Sequence, residues 1–132
     1  MSDNWHAGNA AEDSADYRGW LIGHFIDPSH GTMRKTDDLE VKWGIHPAGE
    51  KRAAWTEGEE RSTLVILVNG KFRVQLSTKN PGDAQPTWSM TPVTLERQGD
   101  YLTWGPGTDH SWQAEDDSVV ITVLWPSIPR VL

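Results

Sequence analysis

The chain has 132 residues, 36% of them hydrophobic, with 12 glycines, no cysteine and a formal net charge of -7. That length suits one domain around one core, and the missing cysteines exclude disulfides, thiolate metal sites and cysteine nucleophiles. The acidic balance argues against a nucleic-acid partner, which needs a Lys/Arg footprint. The longest apolar run, Leu64 to Val68, is far too short to span a membrane, and no basic-then-apolar leader opens the chain, so the cytoplasm is the expected compartment.

Residues 1–17 are polar, acidic and without a period, which predicts an N-terminal arm ahead of a domain over 18–132. Arg18 to Asp27 reads as a strand with Trp20, Ile22, His24 and Ile26 on one face. Pro28 to Asp38 is charged and holds Gly31, so a loop is expected there with His30 in solvent. Leu39 to His46 alternates: Leu39, Val41, Trp43 and Ile45 oppose Glu40, Lys42, Gly44 and His46, the pattern of a half-buried strand. Pro47 and Gly49 end it.

Asn69-Gly70, between Leu64–Val68 and Lys71–Ser77, is a strong signal for a type I′ hairpin turn, with Phe72, Val74 and Leu76 as the inward face of the return strand. A loop over Asn80 to Pro86 leads to a short strand from Trp88 to Glu96. Gln98-Gly99-Asp100 has turn chemistry, a strand begins at Tyr101, and Gly105-Pro106-Gly107 stops it because Pro106 lacks an N–H. His110, Trp112 and Ala114 then share one face of the next strand. Glu115-Asp116-Asp117 is an acidic tip, and the β-prone run Ser118 to Trp125 fits a well-buried strand closed by Pro126. About eight short strands with turn signals between them predict an all-β sandwich or barrel of a single domain.

Eight tryptophans are unusual in a chain this size, and each is a broad rigid surface for closing a barrel, lining a cavity or meeting a partner. Glu57, Glu59, Arg61 and Thr63 share parity, so a continuous strand turns two carboxylates and a guanidinium the same way. With His110, and His46 from a neighbouring strand, those carboxylates could hold a divalent ion such as Mn, Fe, Ni or Zn, or do acid–base work. In water they would be a solvated strand edge of little energetic effect.

The spacing Gly99, Gly105, Gly107, His110 resembles the second signature motif of the cupin superfamily. Two positions depart: the motif's proline falls one residue late, at Pro106, and its asparagine is Ala114. Gly70 matches the glycine that closes the first cupin motif, but that motif's glutamate falls on Thr63 and its histidine pair on Glu57 and Glu59, or on Thr56 and Gly58. The usual three-histidine, one-glutamate set is therefore missing. The resemblance covers roughly Leu39 to Trp125 and points to the small single-domain bacterial cupins.

That resemblance implies a cupin-type double-stranded β-helix, a jelly-roll barrel of antiparallel strands, with the N-terminal arm packed across a homodimer partner. It also implies a small molecule held in a cavity around His110, walled by Trp43, Trp55, Trp104 and Trp112 and oriented by Thr63 and Arg61. Two alternatives stand beside this binding role. One is a metal-dependent isomerase, epimerase, lyase or oxygenase using Glu57, Glu59, His110 and His46, and the other is a dimeric regulatory module without chemistry. Fold alone does not choose among them.

Overall fold

A computed structural model describes residues 5–52, 56, 60–79 and 88–129. Eight strands form two antiparallel sheets: β1 (Trp20–Ile22), β2 (Glu40–His46), β3 (Ser62–Asn69), β4 (Phe72–Lys79), β5 (Trp88–Leu95), β6 (Tyr101–Trp104), β7 (Asp109–Ala114) and β8 (Ser118–Trp125). The first sheet runs β1-β2-β8-β3-β6 and the second β5-β4-β7. Residues 49–52 and Thr56 pair with the free side of β7 and extend the second sheet beyond it. Gly49 and Arg52 donate to the carbonyls of Ala114 and Trp112 at 2.8 and 3.1 Å, and Thr56 exchanges backbone bonds with His110 at 2.8 and 3.0 Å.

The chain repeatedly crosses between sheets, and the sequence signals for turns mark the crossings. Gly105-Pro106-Gly107 carries it from β6 in the first sheet to β7 in the second. Asn69-Gly70 does the same between β3 and β4, which corrects the expected hairpin. β3 pairs with β6 and β8, whereas β4 pairs with β5 and β7. Gly70 takes a φ of +103° but Asn69 does not enter the left-handed region, so the turn is not type I′. A Cβ on Gly70 would lie 2.3 Å from the Asp117 carbonyl oxygen and 2.6 Å from Ser118 Cα, so only glycine lets the corner press against the start of β8. Ser118 secures it: its hydroxyl accepts from Lys71 N at 3.1 Å and lies 3.0 Å from the Lys71 carbonyl.

Strand positions explain two residues that break the usual preferences. Pro92 sits inside β5, opposite Gln75, and is tolerated because β5 is the edge strand of its sheet among the described residues. β8, the most β-prone run, is the centre of its sheet, flanked by β2 and β3.

The N-terminal third departs from expectation. β1 is only three residues long, because the chain bends at Gly23 and Phe25 folds its ring back over the space a Gly23 side chain would need. Within the segment expected to be an arm, Ala10–Asp13 form a helical turn (α1) capped by Asn9, and Ala15–Tyr17 a 3₁₀ turn. Both are tied to the charged 28–38 loop by Arg34, which is buried. Its Nε donates to the Leu21 carbonyl at 2.9 Å, Nη1 to His30 at 2.9 Å and Nη2 to Asp13 at 3.1 Å. Three carbonyls satisfy the guanidinium, which is why a charge can be buried there. His30 is exposed, as expected, with its Nδ1 2.6 Å from the Tyr17 hydroxyl.

The core lies between the sheets. Val65, Leu67, Phe72, Val74, Leu95, Ala114 and Val120 form one buried apolar cluster. From Arg61, just ahead of β3, through Thr63 to Val65 and Leu67 on its inner side, the buried residues pass from polar to apolar.

β2 is oriented opposite to the simplest reading of its alternation. Glu40 is 5% and His46 8% exposed, Gly44 is buried, and Ile45 is 61% exposed. The polar parity faces inward and the apolar parity outward. Register across the sheet aligns Trp43 with Ile121, Ile66 and Tyr101, and Val41 with Val123, Leu64 and Thr103, so the outer face carries rows of apolar side chains. On the inner face, the aligned rows are Lys42, Thr122, Val65, Leu102 and Glu40, Leu124, Thr63, Trp104.

Candidate functional site

Between the sheets, toward the polar end of β3, lies a cavity of about 100 Å³. Its aromatic walls are Trp20, Phe72, Trp104 and Trp112, and its polar lining is Lys42, His46, Arg52, Thr56, Thr63, His110 and Thr122. A hollow of about 10 Å³, the size of one water, adjoins it between Arg61, Thr63, Trp104, Gly105, Thr108 and His110.

Each polar group is placed by the sheet that carries it. His110 sits on β7, held on both sides of its backbone by Leu76 of β4 and by Thr56, with its ring centroid 4.8 Å from that of Trp104. His46, at the end of β2, is packed against Phe72 and Trp112 at centroid distances of 5.4 and 4.5 Å. Its Nδ1 is 2.6 Å from Glu50 Oε1, which fixes the ring and turns Nε2 toward Gly44. A Cβ at Gly44 would come within 2.7 Å of Nε2, so the missing side chain is the space that the imidazole fills. Lys42 Nζ stands 5.6 Å from the Trp20 ring centroid, within reach of its π face.

Arg61 is oriented by a buried polar network. Its Nη1 lies 2.9 Å from Glu40 Oε1, with both side chains almost fully buried. The Ser127 hydroxyl donates to Glu40 Oε1 at 3.2 Å, and His24 Nδ1 lies 2.7 Å from that hydroxyl and 3.5 Å from the carboxylate. The guanidinium thus closes the floor beside the small hollow.

The residues expected at the site divide three ways. His110, Thr63, Trp104, Trp112 and His46 line the cavity, and Arg61 lines the adjoining hollow. Trp43 does not: it lies on the outer face of β2, because Glu40, Lys42, Gly44 and His46 occupy the inward parity. Trp55, Glu57 and Glu59 lie outside the described residues. Sequence reading missed Lys42, Arg52 and Trp20 as lining groups.

A metal centre can be tested against the donors in place. Among the described residues, no three His, Cys, Asp or Glu side chains group as a metal site, and the lining that holds His46 and His110 also holds the cationic Lys42 and Arg52. The described donors by themselves do not make up a divalent-ion site, and the carboxylates expected to complete one, Glu57 and Glu59, lie outside the described residues.

Solved structures share this architecture. KdgF from Halomonas sp. is 25% identical, with 69% of this chain matching 72% of that one at a TM-score of 0.52. A dTDP-4-dehydrorhamnose 3,5-epimerase from Sulfolobus tokodaii is 17% identical, with 80% of this chain matching 61% of that one at 0.58. A cupin superfamily protein from Desulfitobacterium hafniense is 15% identical, with 69% matching 70% at 0.50. The chain has the RmlC-like cupin fold. No protein-family model and no curated protein matches its sequence. The second cupin motif resemblance thus falls on the β6–β7 crossing, with His110 as the cavity-lining histidine of that crossing.

Proposed function

We propose that this cupin binds a small organic molecule in the cavity around His110, and that the molecule carries an anionic or acceptor-rich group. The observation that carries the reading is the orientation of β2: Lys42 and His46 face an interior cavity between aromatic rings, while the apolar side of the same strand faces out. Putting polar side chains inside and apolar ones outside runs against burial energetics unless the polar groups are paired or serve a ligand. The described lining supplies the cations Lys42 and Arg52, the hydroxyls of Thr56, Thr63 and Thr122, and two imidazoles, a set dominated by hydrogen-bond donors. Flat aromatic walls with a few convergent polar groups are what small-molecule sites use. A cavity of about 100 Å³ suits a compact ligand of a few heavy atoms or one end of a longer molecule.

Because Trp20, Trp104 and Trp112 form the walls, intrinsic fluorescence reports occupancy directly. The expected result is saturable quenching by some members of a panel of small carboxylates, absent with matched neutral amides and weakened at least tenfold by His110→Ala or Lys42→Met. Quenching by neutral and anionic members alike would remove the charge preference. No saturable change with any member would remove the ligand.

A second reading has one observation in its favour. The Glu50 carboxylate holds His46 Nδ1, an arrangement that leaves Nε2 as the working nitrogen of the ring and suits acid–base chemistry on a bound molecule. It predicts turnover of a quenching ligand, followed by NMR, that His46→Gln abolishes while binding survives. Metal-assisted chemistry would have to draw on Glu57 and Glu59 with His110 and His46, and stoichiometric metal in purified protein, lost in His110→Ala, would support it. The expected setting is cytoplasmic, and the expected partner is a second copy of the chain.

A further inference from the structure

We infer that Thr56 selects what the cavity holds: its hydroxyl bonds an uncharged oxygen of the ligand, which makes that ligand a small hydroxy acid rather than a plain carboxylate. This rests on the binding role proposed above and adds to it the second polar group that the molecule must carry.

The Thr56 hydroxyl oxygen is buried and has no hydrogen-bond partner among the described residues. A hydroxyl both donates and accepts, and leaving one unsatisfied away from water is costly enough that folded proteins seldom do so without a use for it. Its position is set by the sheet. Thr56 exchanges both backbone bonds with His110, at 2.8 and 3.0 Å, so the two are a directly opposed antiparallel pair. In such a pair the Cα atoms lie about 5.5 Å apart and both side chains leave the same face. That face is the cavity wall, which both residues line. The unsatisfied hydroxyl therefore stands beside an imidazole at the edge of a space that a ligand can enter.

Register separates this pair from the cations. Trp104 packs on His110 with ring centroids 4.8 Å apart, which sets the pair across from the inner row that holds Thr63 and Trp104. Lys42 belongs to the next inner row, with Thr122 and Val65, and Arg52 donates its backbone N–H to Trp112, two residues beyond His110 on β7. Both cations are thus rooted one row away from Thr56, about 7 Å along the strands. A carboxylate meets Lys42 and Arg52 by charge, and an oxygen several bonds away on the same molecule reaches Thr56 and His110. A hydroxyl suits that place because it can serve as donor and acceptor in turn. A second carboxylate would gain less there, because Arg61, the guanidinium that adjoins His110, is already paired with Glu40. A ligand without the matching oxygen would shut water away from Thr56 and leave the hydroxyl unpaired, so the site discriminates against it.

Tryptophan quenching titrated with matched acids tests this: lactate against propionate, and β- and γ-hydroxybutyrate against butyrate. At least one hydroxy acid is expected to bind at least tenfold tighter than its deoxy partner. Thr56→Val should bring that hydroxy acid to the affinity of its deoxy partner, and Thr56→Ser, which keeps the hydroxyl, should keep the gap. In the ligand-free protein Thr56→Val should not lower the urea midpoint, because a hydroxyl without a protein partner adds nothing to the fold. Equal affinity within every pair would overturn the assignment while leaving the binding role in place. So would a gap that Thr56→Val retains, a loss it imposes on both members alike, or a lowered urea midpoint, which would mark the hydroxyl as structural. No saturable quenching by any of these acids would remove the binding role itself, and the assignment with it.

Discussion

The two faces of the five-stranded sheet are built from the same strands and do opposite things. The inner face places Glu40, Lys42, His46, Thr63 and Thr122 among aromatic rings, and the outer face places Trp43, Ile45, Leu64, Ile66 and Ile121 toward solvent. In an ordinary half-buried sheet the assignment is the reverse. The contrast teaches that the hydrophobic effect can act on both sides of one sheet: inside, it works through the apolar cluster around Leu67 and Phe72, and the outer rows remain available for burial against something else. The polar inner residues persist only because they are paired or serve a ligand, so changes on the two faces should differ in kind.

The largest expected effect is on the inner face. Arg61→Met removes one member of the buried pair with Glu40 and leaves the carboxylate to Ser127 and His24 among the described residues. Urea denaturation should show a loss of about 3–5 kcal/mol, and the double variant Glu40→Gln/Arg61→Met should recover much of it. A loss below about 1 kcal/mol would mean that the pair behaves like a surface contact and that the inner face is not organised around it.

Gly44→Ala sharpens the contrast at one strand position. The new Cβ would press on His46 Nε2 and stand 3.2 Å from Val120 Cγ2, forcing the imidazole off its place between Phe72 and Trp112. A stability loss of about 1–3 kcal/mol is expected, with weaker quenching by cavity ligands. The adjacent outward residue supplies the opposite result: Ile45→Ser should change single-chain stability by no more than about 0.5 kcal/mol and should leave ligand quenching as it is. If Ile45→Ser altered ligand quenching as strongly as Gly44→Ala, the two faces would not be separable.

These positions also show what a sequence can and cannot reveal. The alternation of β2 is plain in the residue order, but alternation gives two sets and not the direction of either, and the usual assumption that the apolar set faces in fails where the interior is a cavity. Asn69-Gly70 is legible as a turn because Gly70 needs positive φ, yet local turn chemistry cannot say that the next strand joins the other sheet. The Gly105-Pro106-Gly107 corner and the facing of His110, Trp112 and Ala114 are legible because they depend on spacing alone. Arg34 is not, since a charged loop residue reads as solvated until the carbonyls of Asp13, Leu21 and His30 converge on it.

The smallest expected effect belongs to a turn that serves both faces. Asp100 precedes β6, which sends Tyr101 outward and Trp104 inward, and its Oδ2 accepts from Arg97 N at 2.9 Å and Glu96 N at 3.1 Å. Those two backbone bonds, the one from Arg97 foremost, hold the Asp100 carboxyl below its ordinary value of 3.8. The folded form therefore binds this proton less readily than the unfolded form does. Its stabilising effect is fully present above the unfolded value and is lost as pH falls through the lower folded one. Wild type should exceed Asp100→Asn in urea midpoint by a constant margin above about pH 5, and the margin should close as pH is lowered toward about 2. A margin independent of pH over that range would show that the two backbone bonds, rather than the charge they hold, account for what Asp100 contributes. Because the turn feeds both faces equally, ligand quenching at neutral pH should not distinguish Asp100→Asn from wild type.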